Sequence, residues 1–153
     1  MTKAYAFLAS IAVVAALATA GTAANGRTGF EIVMGKTRSG EKAIQTYIDT
    51  GKKSYSAGDY FLTTGPALDK VGGKRIGGVA GVWTIVSQAA DNASVIIHLP
   101  DGTVYMDGLM RHAAKQNVLQ LRGGTGAYKG ARGTATWRTL PGDEIAIRIA
   151  PSN

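Results

Sequence analysis

The chain of 153 residues has no cysteine. Disulfides, a cysteine nucleophile and lipid attachment through a lipobox are therefore excluded. Histidine is nearly as scarce: His98 and His112 are the only two, and no HxH or HExxH spacing occurs. A metal site would have to gather from distant strands, and none is expected. No serine lies in a GxSxG setting, so covalent hydrolase chemistry has no support. Gly124, Gly126 and Gly130 are spaced GxGxxxG, one residue too long for a dinucleotide fingerprint, and no amphipathic helix follows. Gly73-Lys74 is followed by Arg75 where a P-loop needs Ser or Thr. No cofactor is expected.

Negative charge is also short, with 17 Lys and Arg against 10 Asp and Glu and a net charge of +7. The positive side chains are dispersed, from Lys36 and Arg38 through Lys52 and Lys74 to Arg111 and Lys115. No cluster interleaves with aromatics on one face, so they read as solvated surface, against weak adhesion to polyanions. Nucleic acid is not an expected partner.

At the start of the chain, Lys3 precedes an apolar run from Ala6 to Ala18, then Ala18-Thr19-Ala20 and Thr22-Ala23-Ala24. This is the layout of a secretory signal peptide over residues 1–24, leaving one domain over residues 25–153. The alternative is an uncleaved anchor, but the run is short for a span of about 20 residues. The mature protein is expected to be secreted or periplasmic, with no stable membrane anchor. The sequon Asn92-Ala93-Ser94 matters only in a glycosylating host.

The rest of the chain reads as short strands. Arg27–Gly35 places Phe30, Ile32 and Met34 on one face and Glu31 and Val33 on the other. Ala43–Thr50 fits a strand or a short helix, and its Thr, Tyr and Ile favour a strand. Asp59–Thr64 is a strand ended by Gly65-Pro66, and Asp69–Gly78 is a loop. Strands follow at Val79–Gln88, Ser94–Leu99, Thr103–His112, Val118–Arg122, Ala131–Leu140 and Glu144–Ala150. Pro100-Asp101-Gly102 and Pro141-Gly142-Asp143 supply turn chemistry between them. Antiparallel strands with no convincing helix imply a sandwich or a closed barrel.

The densest glycine stretch is Gly123-Gly124-Thr125-Gly126-Ala127-Tyr128-Lys129-Gly130-Ala131-Arg132-Gly133, a turn between two alternating segments. It resembles the GGTG-x-(Tyr/Phe)-x-x-Ala-Arg-Gly signature of dirigent proteins, whose fold is shared with plant allene oxide cyclases. Gly58-Asp59-Tyr60-Phe61, Gly65-Pro66-Ala67-Leu68 and Gly77 to Val86 are similar to that group's upstream strand pair. The resemblance covers about Phe30 to Pro151 and implies an all-β fold: an eight-stranded antiparallel β-barrel, calycin-like. Such a barrel has room for one small ligand. The missing cysteines depart from plant dirigents and point to a bacterial-type member. Lys115-Gln116-Asn117-Val118 offers no match to the arginine those proteins carry before the glycine turn. The allene oxide cyclase set of glutamate, asparagine, cysteine and tyrosine is incomplete. Neither activity is carried over.

Asp59 matches the Gly-Asp motif and reads mainly as a turn acceptor, with a ligand contact as the alternative. Arg132 matches the Ala-Arg-Gly motif and either ties loops together or steadies an oxyanion. Tyr128 packs the barrel mouth or offers its hydroxyl to a ligand. Asp107, in phase with Tyr105, Leu109 and Arg111, is a candidate acid or base if it faces a cavity with Arg111 or Arg122. Glu31 is a similar candidate, because related barrels place an acid on that strand. His98 and Tyr105 complete the candidate ligand contacts, His98 against the reading of a partly exposed strand histidine. The expectation is a protein that binds a small, largely apolar molecule and directs its cyclisation or coupling. Orientation and exclusion of water would carry such a cofactor-independent reaction. The alternative is a non-catalytic module acting through its surface. A homotrimer is implied by analogy with related barrels.

Overall fold

The computed structural model describes residues 29–51 and 55–152. The expected leader and the expected opening of the first strand at Arg27 lie outside the described residues. Among the described residues nine strands follow in order: β1 (Phe30–Met34), β2 (Ile44–Ile48), β3 (Tyr60–Leu68), β4 (Arg75–Ser87), β5 (Ala90–Leu99), β6 (Gly102–Arg111), β7 (Gln116–Gly124), β8 (Arg132–Thr139) and β9 (Ile145–Ser152). Neighbours from β2 to β9 pair antiparallel in sequence order, as short polar turns dictate. β1 returns to pair with β9 along its whole length, from Phe30↔Ile149 to Met34↔Ile145. It also meets β3 at Val33↔Leu68 and Met34↔Ala67, which shuts the ring. The result is a closed eight-stranded antiparallel barrel with β2 as an extra strand beside β3.

Gly65-Pro66 does not end β3, as the sequence suggested. The strand continues to Leu68 and pairs with β4 to Arg75, so the following loop is shorter than expected. The reason lies in its neighbours. β3 pairs with β2 from Tyr60 to Thr64 and with β1 from Ala67 to Leu68. Residues 65 and 66 fill the interval between these partners, where a proline's missing N–H is tolerated.

Alternation fills the cylinder. Ile32, Val95, Ile97, Leu119, Ile147 and Ile149 are at most 1% exposed and form the heart of one apolar cluster. Each such side chain contributes about 1.5–3 kcal/mol on burial. Trp83 and Trp137 belong to the same cluster at one end of the barrel. Gly81 makes room for the first of them: a Cβ there would fall 2.5 Å from the Trp83 ring.

The opposite end is closed by the glycine-dense turn, which contains a single 3-10 turn at Gly126–Tyr128. Its backbone is stitched to the β5–β6 hairpin, with Ala127 N donating to Asp101 O at 2.8 Å and Thr125 N to Thr103 O at 2.9 Å. Gly126 adopts φ 56°, and a Cβ there would lie 2.2 Å from the Asp101 carbonyl oxygen. Tyr128 packs its ring on Phe30, centroids 5.6 Å apart, and its hydroxyl reaches both Asp101 carboxylate oxygens at 3.0 Å.

Candidate ligand site at the open end of the barrel

The residues singled out in the sequence do not converge on one site. Glu31 is exposed on the outer face, in register with Arg148 and 3.9 Å from Arg138 Nη2. Asp107 and Tyr105 stand together on the outer face of β6. The β6–β7 register slips by one residue between Tyr105 and Met106, leaving Arg122 without a partner in the ladder. From that bulge Arg122 Nε donates to Asp107 Oδ1 at 2.7 Å. His98, also outward, shares a hydrogen bond of 3.0 Å between Nδ1 and Thr103 Oγ1. Arg132 donates through Nη1 to the carbonyls of Arg122 and Ala131 at 2.8 and 2.9 Å, tying the glycine turn to β7. Tyr128 sits in the same corner.

Asp59 is fully buried at the head of β3. Tyr47 Oη donates to it at 2.6 Å, Ser56 N at 2.7 Å, and Thr50 N and Oγ1 both at 2.9 Å. These bonds, led by that from Tyr47, hold its carboxyl well below the usual carboxylate range despite burial. Burial and the bond to Asp59 push the Tyr47 hydroxyl up. The network fastens β2, Thr50 and Ser56 to the head of β3.

Asp107, Tyr105 and Arg122 do border a hollow of about 530 Å³, but it lies outside the barrel, floored by Leu62, Val82 and Ile96. The hollow bordered by the two buried tryptophans is elsewhere. At the end opposite the glycine turn, a cavity of about 470 Å³ opens between the ends of β1, β8 and β9 and the start of β2. Trp83, Trp137, Met34 and Ile145 give it an apolar lining, Gln45 and Thr63 a polar one, and Lys36, Lys42, Asp143 and Glu144 stand at its edge. Gln45 and Thr63 are register partners, with Nε2 of one 3.5 Å from Oγ1 of the other. The β8–β9 turn positions Glu144: Leu140 N donates to its carbonyl at 2.7 Å. Its carboxylate lies over Gly35, where a Cβ would come within 2.6 Å of Oε1. The arrangement suits a ligand that stacks on indole and is oriented by a few polar groups at the rim.

Sequence reasoning missed this cavity. The available signal was phase: Trp83 alternates with Ile85 and Trp137 with Ala135, both on the buried face.

The fold is a closed antiparallel barrel with a tryptophan-lined cavity at the end opposite the glycine turn. Residues 40–149 match the model of the allene oxide cyclase barrel-like domain, and the chain belongs to that family. Among solved structures, the chain is similar to pyocyanin demethylase at 19% identity and TM-score 0.67, covering 82% of this chain and 100% of that one. It is similar to the pterocarpan synthase dirigent protein GePTS1 at 18% identity and TM-score 0.66, covering 80% and 84%. The exo-specific intermolecular Diels-Alderase AbnU aligns at 17% identity and TM-score 0.53, over 80% and 97%. A comparison with curated proteins found no match.

Proposed function

We propose that this chain is an exported barrel protein that takes one small, largely apolar molecule into its open mouth and directs its cyclisation or coupling. The observation that carries the reading is the 470 Å³ cavity joined to the core through Trp83 and Trp137, a volume in the range of small-molecule sites. Solved structures sharing the fold include proteins described as a pterocarpan synthase dirigent protein and a Diels-Alderase, which supports a ring-forming or coupling role. Holding one conformer against an indole floor, out of water, lowers a barrier with few ionisable groups. At this mouth, polar assistance falls to Gln45, Thr63 and Glu144, which line it. Roles for Glu31, Asp107 and Tyr128 would require a ligand on the outer face or at the turn-closed end.

A second reading is favoured by the packed interior: below the tryptophans the barrel is filled by aliphatic side chains. On that reading the chain is a non-catalytic module acting through its surface. Native mass spectrometry of protein purified from its own host separates the two. A small molecule retained by the wild type and lost from Trp137→Ala supports mouth binding; bare polypeptide in both supports the surface module. N-terminal sequencing of the same sample tests export, with Asn25 as the expected first residue.

A further inference from the structure

On the inward side of β5, in phase with Ala93, Val95 and Ile97, stands an acid that no motif singled out. Asp91 is only 8% exposed. Its Oδ2 lies 3.0 Å from His112 Nε2. His112 is held in turn, with Nδ1 3.1 Å from the Gln88 carbonyl and its main-chain N–H donating to Ala89 O at 3.0 Å. The second carboxylate oxygen, Oδ1, is buried and has no hydrogen-bond partner among the described residues. A buried acceptor of this kind costs stability unless something donates to it.

Its neighbours link it to the residues of the mouth. Asp91 is in register with Ile85 on one side and with Met110 on the other. The Met110 sulfur accepts the Trp83 indole N–H at 3.2 Å, and Trp83 lines the mouth cavity. Methionine is unbranched and turns easily. Asp91 and Met110 do not themselves line the cavity, so an anchor at Asp91 requires Met110 to turn off the indole.

We infer that Asp91 is the polar anchor of the mouth: Oδ1 accepts an N–H or O–H borne on the ring of a flat aromatic ligand lying against Trp83 and Trp137. The inference rests on the proposed mouth binding and narrows its ligand class to aromatic molecules carrying a hydrogen-bond donor. A donor to a carboxylate in apolar surroundings makes a strong bond, so the site discriminates against molecules that lack one.

The test uses two isomers, 3-methylindole and 1-methylindole, of which only the first has an N–H. Both are titrated into full-length 15N-labelled protein while the side-chain N–H signals of Trp83 and Trp137, the only two tryptophans, are followed. The expected result is binding of 3-methylindole about tenfold tighter, the order set by one hydrogen bond to a charged group. In Asp91→Ala that preference shrinks to nothing. The wild-type comparison needs no variant to fold. Equal binding of the isomers overturns the anchor, a buried water then sufficing for Oδ1, and leaves mouth binding standing. A preference that survives Asp91→Ala also overturns it. If neither isomer moves either signal, mouth binding fails and the anchor fails with it.

Discussion

Trp83 and Trp137 meet edge to face at the open end of the barrel, ring centroids 5.8 Å apart and planes inclined by 68°. They come from strands on different sides of the ring, so each ring is the other's wall. Removing one leaves a void that the β-strands cannot close. Trp137→Ala is expected to cost about 3–5 kcal/mol of stability in urea unfolding. Trp137→Phe, which keeps an aromatic edge, is expected to cost less than half as much.

The Asp59 network sets an acid limit. Its folded-state pKa is depressed, so its contribution is complete above the unfolded value near 3.9 and is lost as pH falls towards the folded one. Wild-type stability should therefore decline from about pH 5 to pH 2, and the decline should be visibly shallower in Asp59→Asn. Urea midpoints across that range check it. Parallel curves would remove Asp59 from the acid response.

Gly126 is held in the left-handed region with the Asp101 carbonyl where its Cβ would be. Gly126→Ala is expected to destabilise by about 2 kcal/mol or more, from conformation and contact together. Gly130, at φ 70° with nothing within 4 Å, bears the conformational part alone, so Gly130→Ala should cost less. Thermal melts of the pair separate the two contributions.

The outer face carries an apolar hollow across β3, β4 and β5, where Leu62, Val82 and Ile96 are 41%, 38% and 44% exposed. We expect copies of the chain to associate here. Wild type should elute as a homo-oligomer in light-scattering chromatography, and Ile96→Glu as a monomer. Because the side chain points outward, stability per chain should shift by no more than about 0.5 kcal/mol apart from the lost association. A wild-type monomer would dismiss this surface.

Much of the fold was legible because strand alternation survives in the sequence. Phe30, Ile32 and Met34 face the core, as the pattern of β1 says, and the last strand's Ile147 and Ile149 do the same. The end of β3 was not legible: Gly-Pro is a stop signal locally, and only the hand-over from β2 to β1 makes it a continuation. The site was harder. Alternation sorts side chains into two faces, but the ring decides which face is inside, and it turns Asp107 and Tyr105 outward. Asp91 went unseen for a simpler reason. The expected strand began at Ser94, which left Asp91 in a turn, whereas β5 starts at Ala90 and carries it inward.

The ring is fastened to itself by only two residue pairs between β1 and β3, against five between β1 and β9. The cylinder is thus a rolled sheet with a small clasp, and the clasp sits at the strand whose last residue, Met34, lines the mouth. Hydrogen exchange should find the amides of Val33 and Leu68 opening before those deep in β5. A guest seated against Met34 would then act on the seam as well as the pocket, so that filling the protein also latches it.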